Sequence, residues 1–373
     1  MDVYLDYNAT APLRSEVASA MISAYELCGN ASSVHRFGRL ARRAVEDARE
    51  TIAAVIDAAP AEIVFTSGGT EANNLALRGS ERPVFMSAIE HDSVRGAPDE
   101  ASVIRIDQDG VVDLHHLEEL LSAAGAPALV SVMLANNETG VVQPIGQVVA
   151  LAQRFGALVH CDGVQALGKM PLSFAALGVD MMSLSAHKLG GPQGVGALIV
   201  RDGIDVAPLL RGGGQERSRR AGTENVAGIS GFGAAAALVE QTVEAAPELE
   251  RLRDDIETRV RAAVPDSVIY GARSPRLPNT SCIGLPGVSN EVQVMTLDLA
   301  GVAISAGSAC SSGKLTPSHV LQAMGADDEA AASAIRVSLG WQTSAGDGDR
   351  FVEAWSALAN RRVSSELGHR SVA

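Results

Sequence analysis

The stretch MMSLSAHKLGGPQGVGALIV, residues 181–200, decides the architecture. It opens on a compact apolar run, passes through Ser185, His187 and Lys188, crosses a glycine-rich turn and closes on a second apolar run. Short apolar runs of this kind, bounded by glycine and separated by helical patterns, read as buried strands of an α/β sheet with crossover helices. Working outward, 63–66, 83–87, 129–133, 158–160 and 197–200 are further strand candidates, each ending at a polar or glycine-rich segment. Open α/β sheets bind ligands in the crevice beyond the carboxyl ends of their strands. Functional residues are therefore sought at those ends.

Helical patterns fill the gaps. Leu40, Ala44, Ala48, Ile52 and Ile56 recur every four residues and predict an amphipathic helix rich in Arg and Glu elsewhere. Near 234–250 the composition turns alanine-rich, and Leu249, Leu252, Ile256 and Val260 mark a second such helix, expected to connect two domains. Beyond it, 281–285 and 302–305 read as strands, and SAGSACSSGKLTPSHVL (305–321) leads to a helix expected to be capped by Thr316 with Pro317 at its first position. The expectation is an α/β layered domain followed by a smaller α+β domain. A length of 373 residues accommodates both at roughly 150 residues per domain.

Composition narrows the function classes. Thirty basic against 44 acidic residues give a net charge of −14, which argues against a general nucleic-acid or anionic-membrane binder. Cys28, Cys161, Cys282 and Cys310 lie far apart with no C-x-x-C pair, so neither a metal knuckle nor a disulfide framework is expected. The start, MDVYLDYNATAP, has neither a basic nor an apolar leader segment, and no run approaches the roughly 18 apolar residues of a membrane helix. A cytoplasmic protein with reduced thiols is expected.

Three strand-end segments carry chemistry. In IVFTSGGTEANNLAL (63–77) a strand, a Gly-Gly turn and a helix would aim the amides of Gly68, Gly69 and Thr70 at an anion; the plainer reading is an ordinary turn. No P-loop ending or well-placed G-x-G-x-x-G supports a nucleotide. In LVHCDGVQALG (158–168), Asp162 and Gln165 follow an apolar strand, where a carboxylate can hold positive charge on a heterocycle or simply cap a helix. Lys188, with Ser185 and His187, is placed to lose a proton and form an imine. An anion nest, a partner for a ring nitrogen and a strand-end lysine together are what pyridoxal phosphate requires. His91, in AIEHDSV, could stack on such a ring and shuttle protons, or serve as a cap.

Cys310 lies in a small, polar segment unlike the surroundings of a structural cysteine, which makes it a candidate nucleophile. Cys28 on an apolar helix face, Cys161 at a strand end and Cys282 in a strand are expected to pack. Arg336, in AIRVSLGW, interrupts an apolar run and must meet a carboxylate, either internal or the substrate's. RRAGTENV (219–226) suits anion contacts, a subunit interface or an exposed loop.

At this point the chain resembles the cysteine desulfurases, pyridoxal-phosphate enzymes of fold type I related to the class V aminotransferases. YLDYNATAP (4–12), GNASSVHRFG (29–38), TSGGTEANN, IEHDSV, NNETG (136–140), HCDGVQ, SAHKLGGPQGVG, GGGQERSRRAGTENV (212–226), SAGSACSSG and IRVSLG occur in the family's order over nearly the whole chain. The resemblance implies a large domain, 14–240, with a mainly parallel seven-stranded sheet flanked by helices, and a small α+β domain from 1–13 and 241–373 that carries the catalytic cysteine. It implies that Lys188 binds the cofactor covalently, Asp162 pairs with the pyridinium nitrogen, Gln165 and Asn137 lie near the ring hydroxyl, and His91 stacks on the ring. Gly69, Thr70, Ser185 and His187 would hold the phosphate, joined by Thr223 from the partner of a homodimer. Arg336 with Asn30 would take the carboxylate of L-cysteine. Cys310 would take the sulfur as a persulfide, leaving alanine, for delivery to an acceptor such as an iron–sulfur scaffold. The segment after Cys310 resembles the subgroup with a long catalytic loop. Ala31 and Ala306 depart from the proline and serine often found there. Within the same fold the rival is an aminotransferase or other lyase in which Cys310 is incidental; outside it, a non-catalytic scaffold.

Overall fold

The structure, a computed structural model, describes residues 2–307 and 317–370, the side chains of 362–370 excepted. A first short strand, β1 (Val3–Tyr4), precedes the main sheet. That sheet is built from β2 (Ile63–Thr66), β3 (Val84–Ser87), β4 (Ala101–Ile104), β5 (Leu129–Ser131), β6 (Leu158–Asp162), β7 (Met181–Ser185) and β8 (Gly196–Val200), in the order β2-β8-β7-β6-β5-β3-β4. Strands β4, β3, β5, β6 and β7 pair in parallel, while β8 runs antiparallel to both β7 and β2. The expected α/β sheet is thus present, mainly parallel and seven-stranded. All but β4 and the first residue of β6 are buried throughout, as sheets covered by helices on both faces must be. Strand β4 escapes the sequence reading because it is a half-exposed edge without an apolar run.

The chain then passes through three consecutive helices, Val226–Ala236, Val239–Glu244 and Ala246–Ala263, where the alanine-rich connection is expected. Beyond them come β9 (Val268–Tyr270), β10 (Thr280–Gly284), β11 (Val302–Ala303), β12 (Ser305–Ala306) and β13 (Ala334–Ser338). An antiparallel four-stranded sheet runs β12-β13-β10-β9, and β1 pairs in parallel with β11. The single strand expected at 302–305 is broken in two at Ile304. Leu252, Ile256, Val260, Leu297, Phe351 and Trp355 pack with Val3 and Leu5 into one core on this sheet, so the N-terminus and the last third of the chain bury their apolar surface together. No helix among the described residues is long and apolar enough to cross a membrane.

Two local expectations are corrected. The helix after the serine- and glycine-rich segment is His319–Ala323, capped by Ser318, whose hydroxyl accepts from the Leu321 N–H; Thr316 lies outside the described residues. A serine one residue after Pro317 can adopt the extended cap conformation and supply the acceptor, so the helix starts there. Cys161 and Cys282 are buried in β6 and β10, but Cys28 is exposed, because the helix expected to carry it, Ser15–Tyr25, has already ended.

Candidate active site

The candidate residues arrive from the carboxyl ends of neighbouring strands. Gly69 and Thr70 open the helix Gly69–Gly79 directly after β2. The turn before it needs glycine: Gly68 has φ 154 and ψ −179, a conformation essentially closed to residues with a Cβ. Gly196, at the start of β8, lets that strand pass close, since a Cβ there would come within 2.8 Å of Gly68 Cα. His91 caps the short helix Asp92–Arg95 after β3, its Nδ1 accepting the Ser93 N–H at 3.1 Å. Asn137 follows β5, Asp162 ends β6, Ser185 ends β7, and His187 and Lys188 sit in the single turn Ala186–Leu189 that follows.

Gly69, Thr70, His91, Asn137, Asp162, Gln165, Ser185, His187 and Lys188 line one cavity of about 220 Å³. Asp162 is 6 % exposed; its Oδ2 accepts from Asn73 Nδ2 at 2.8 Å and its Oδ1 from the Val164 N–H at 3.0 Å. The Lys188 amine donates to the carbonyls of Asn8 and Ala9, at 2.6 and 2.7 Å. Burial and the charges of Lys188 and Lys169 push His187 down to about 4. It is therefore a neutral imidazole, with Nδ1 3.2 Å from Thr10 Oγ1.

Arg336, on β13, is buried beside this cavity. Its Nη2 meets Asp6 at 2.7 Å and its Nη1 donates to the Asn137 carbonyl at 3.2 Å, while its Nε has no partner among the described residues. Of the two carboxylates open to it from sequence, the internal one is present. Asn30 and Thr223 are exposed and do not line the cavity; the Asn30 side chain accepts the Ser32 N–H at 2.8 Å. Cys310 lies outside the described residues.

Three participants escaped the sequence reading. Asn73 ties Asp162 to Ser93, with its Nδ2 2.8 Å from each, and its Oδ1 has no partner among the described residues. Its signal was a polar residue on the buried face of a helix otherwise lined by Ala72, Leu75 and Ala76. Asn8 joins the two sheets, donating to the Asn137 carbonyl and to Thr280 Oγ1 while its own carbonyl accepts from Lys188 and Gln165. Lys169 reaches Asn8 and Gln165 from the segment after β6.

The donor set suits a phosphorylated aromatic aldehyde. A helix N-terminus with Thr70, Ser185 and His187 can take a phosphate, a fixed carboxylate stands for a protonated ring nitrogen, and an amine stands for the aldehyde. These features share one cavity, so pyridoxal phosphate fits the residues present.

Comparison with known proteins agrees. The family described as aminotransferase class-V matches residues 3–351. A cysteine desulfurase from Cereibacter sphaeroides is 44% identical, with 99% of each chain covered. The cysteine desulfurase IscS of Dictyoglomus turgidum is 43% identical over 93% of this chain and 91% of its own length. Among solved structures, a NifS-like protein from Rickettsia africae superimposes with a TM-score of 0.91 at 36% identity, covering 96% of this chain and 100% of that one. The chain belongs to the class-V aminotransferase family, in its cysteine desulfurase branch.

Proposed function

We propose that this protein is a pyridoxal-phosphate-dependent cysteine desulfurase that converts L-cysteine to L-alanine and carries the sulfur as a persulfide on Cys310. The observation that carries the reading is the convergence of an anion-binding helix end, the Asp162 carboxylate and the Lys188 amine on one cavity. Pyridoxal phosphate, when bound, supplies an aldehyde for amines and an electron-withdrawing ring that stabilises charge at the substrate α-carbon.

The chain's own groups do the rest. Gly69, Thr70, Ser185 and the neutral His187 hold the phosphate, with Thr223 contributed by a second copy. Asp162, fixed by Asn73 and the Val164 N–H, keeps a proton on the ring nitrogen. Gln165 and Asn137 face the ring hydroxyl, and His91 covers the ring and relays protons. Arg336, assisted by Asn30, orients the substrate carboxylate; Asp6 holds its guanidinium in place. Lys188 would tether the cofactor, and its amine is the base placed to move the substrate α-proton. The Cys310 thiolate then attacks the substrate sulfur. The S–S bond forms as the C–S bond breaks, the electron pair stays with carbon, and protonation gives alanine.

Partners follow from the same reading. Ile22, Tyr25, Val34, Phe37 and Leu40 are exposed apolar residues within 22–40, which a homodimer contact would cover. The persulfide goes to an acceptor protein such as an iron–sulfur scaffold, in the cytoplasm. The same reading assigns Cys310 to a small domain of 1–13 and 241–373 and the cofactor to a large domain of 14–240.

Incubation with L-cysteine followed by product and peptide mass analysis tests the function. Alanine is expected, with one added sulfur on the Cys310 peptide; a keto acid product would make it an aminotransferase instead. Cys310→Ser keeps the yellow cofactor and loses persulfide, whereas Lys188→Ala loses both.

A further inference from the structure

The chain on either side of the stretch that carries Cys310 meets one carboxyl group that the chemistry above does not use, that of Glu138. Ser318, just after the stretch, donates its hydroxyl proton to Glu138 Oε2 at 2.6 Å while accepting the Leu321 N–H at 3.1 Å. Gly307, just before it, runs so close to the same oxygen that a Cβ there would collide with Glu138 Oε2. His319 follows Ser318 and donates from Nε2 to the Glu90 carbonyl at 3.1 Å, one residue before His91.

Glu138 is 2 % exposed and is fixed from its own backbone. Asn136 Oδ1 accepts the N–H groups of Glu138 and Thr139 at 2.9 and 3.0 Å, and Asn136 Nδ2 donates to the Ile89 carbonyl at 3.2 Å. The same turn offers the Asn137 carbonyl to Arg336. One short turn after β5 therefore serves the cavity through Asn137 and both roots of the Cys310 stretch through Glu138. A carboxyl group this buried is costly unless it is bonded, and the Ser318 hydroxyl and the nearby Arg336 charge supply what offsets that cost.

We propose that Glu138 is a positioning residue for sulfur transfer: by holding Gly307 and Ser318 on one carboxyl group beside the cavity, it fixes both roots of the stretch that delivers the Cys310 thiol to the substrate sulfur. Joining the two ends in advance means that the entropy of bringing them together is not lost again at each transfer.

The inference rests on the desulfurase reading, and its test reads the anchor apart from turnover. Hydrogen exchange of the full-length, cofactor-loaded protein shows the anchor directly: in Glu138→Ala the amides of 303–307 and 318–323 exchange about tenfold faster, while those of 158–168 keep the wild-type rate. Single turnover with L-cysteine shows the consequence. Glu138→Ala adds sulfur to Cys310 about 10- to 100-fold more slowly, with cofactor content and the cysteine concentration for half the absorbance change within about twofold of wild type. Glu138→Gln, which keeps an acceptor for Ser318, retains most of the rate. Gly307→Ala, whose added methyl meets Oε2, slows transfer as well, and combining it with Glu138→Ala is no slower than Glu138→Ala alone, because the collision is gone. Transfer at the wild-type rate in Glu138→Ala overturns the proposal. So does a loss of cysteine binding as large as the loss of rate, a Gln variant as slow as Ala, or two single effects that multiply in the double variant. Should Glu138→Ala fail to fold, Gly307→Ala at the wild-type rate overturns it alone. A wild type that releases no alanine from cysteine sinks the desulfurase reading, and in that case unchanged exchange in Glu138→Ala overturns the anchor as well, whereas accelerated exchange at both roots sustains it.

Discussion

Glu90, one residue before His91, shows how far a single side chain can be tuned by burial. One carboxyl oxygen accepts from Ser87 Oγ at 2.5 Å and from the Met133 N–H at 2.8 Å; the other has no partner among the described residues. Burial, partly offset by those two bonds and reinforced by Asp162, raises it from 4.5 to about 8. The folded value lies above the unfolded one, so the contribution to stability is complete below about pH 4.5 and is lost as pH rises through about 8. Thermal unfolding from pH 5 to 9 should therefore show the wild type losing stability relative to Glu90→Gln, by up to about 1.4 kcal/mol per pH unit. A constant difference between the two would mean the carboxyl is ionised throughout. Asp162 is the other residue where one atom decides much. Asp162→Asn should fold normally yet lose on the order of 10²-fold or more in kcat, measured as alanine release, because a neutral amide no longer holds the ring proton. Its position at a strand end was legible. The Asn73 that fixes it was not, since a buried asparagine in a helix looks the same in sequence whether it points at a cap, a core or a carboxylate.

At the scale of elements, the helix Arg36–Val55 was foreseen, and of its expected stripe Ala48, Ile52 and Ile56 are buried and Ala44 half-buried, with only Leu40 exposed. A row taken every four residues drifts by about 40° per step around a helix of 3.6 residues per turn, so a five-residue row turns through about 160° and its first member leaves the buried face. The buried face follows Ala41, Val45, Ala48 and Ile52, while Leu40 is 45% exposed. Arg49 lies on the buried face too. Its two Nη atoms meet the Glu216 carboxylate at 2.8 and 2.9 Å, Nη1 also donates to the Ile63 carbonyl, and Glu216 accepts the Phe65 N–H. This fork ties the helix and β2 to the segment that carries Thr223, where Glu216, Arg217 and Ser218 all take positive φ. Removing one partner strands a buried charge, so Glu216→Ala should cost about 3–5 kcal/mol in denaturant unfolding. Glu216→Gln, which keeps the acceptor to Phe65, should cost less. Equal losses would assign the effect to the missing negative charge beside Arg49 rather than to packing or the bond to Phe65.

Across the whole molecule, what sequence could show was whatever depends on local patterning. Strand 63–66 was read to the residue, and the run that opens 181–200 was placed, because a strand buried on both faces is largely apolar and ends at a turn former. The exposed edge β4, the splitting of 302–305 and the joint core of Val3 and Leu5 with Trp355 depend on contacts distant in the chain. The same division holds in the site. Strand-end residues were legible, whereas Asn8 and Lys169 act through neighbours that only folding supplies. Asn30 and Thr223 stand apart from the cavity in a single copy, which is the arrangement expected if a second copy completes it. Mixing two inactive variants discriminates. In Lys188→Ala one copy lacks the amine; in Thr223→Glu the other carries a charge that repels phosphate. If Thr223 serves its partner's site, a mixed dimer pairs the intact Lys188 of one copy with the intact Thr223 of the other and regains one working site. Random exchange of equal amounts should then restore about a quarter of wild-type alanine release, since half the dimers are mixed and each has one site of two. If Thr223 acts within its own chain, every site in the mixture keeps a lesion and activity stays at the level of the separate variants.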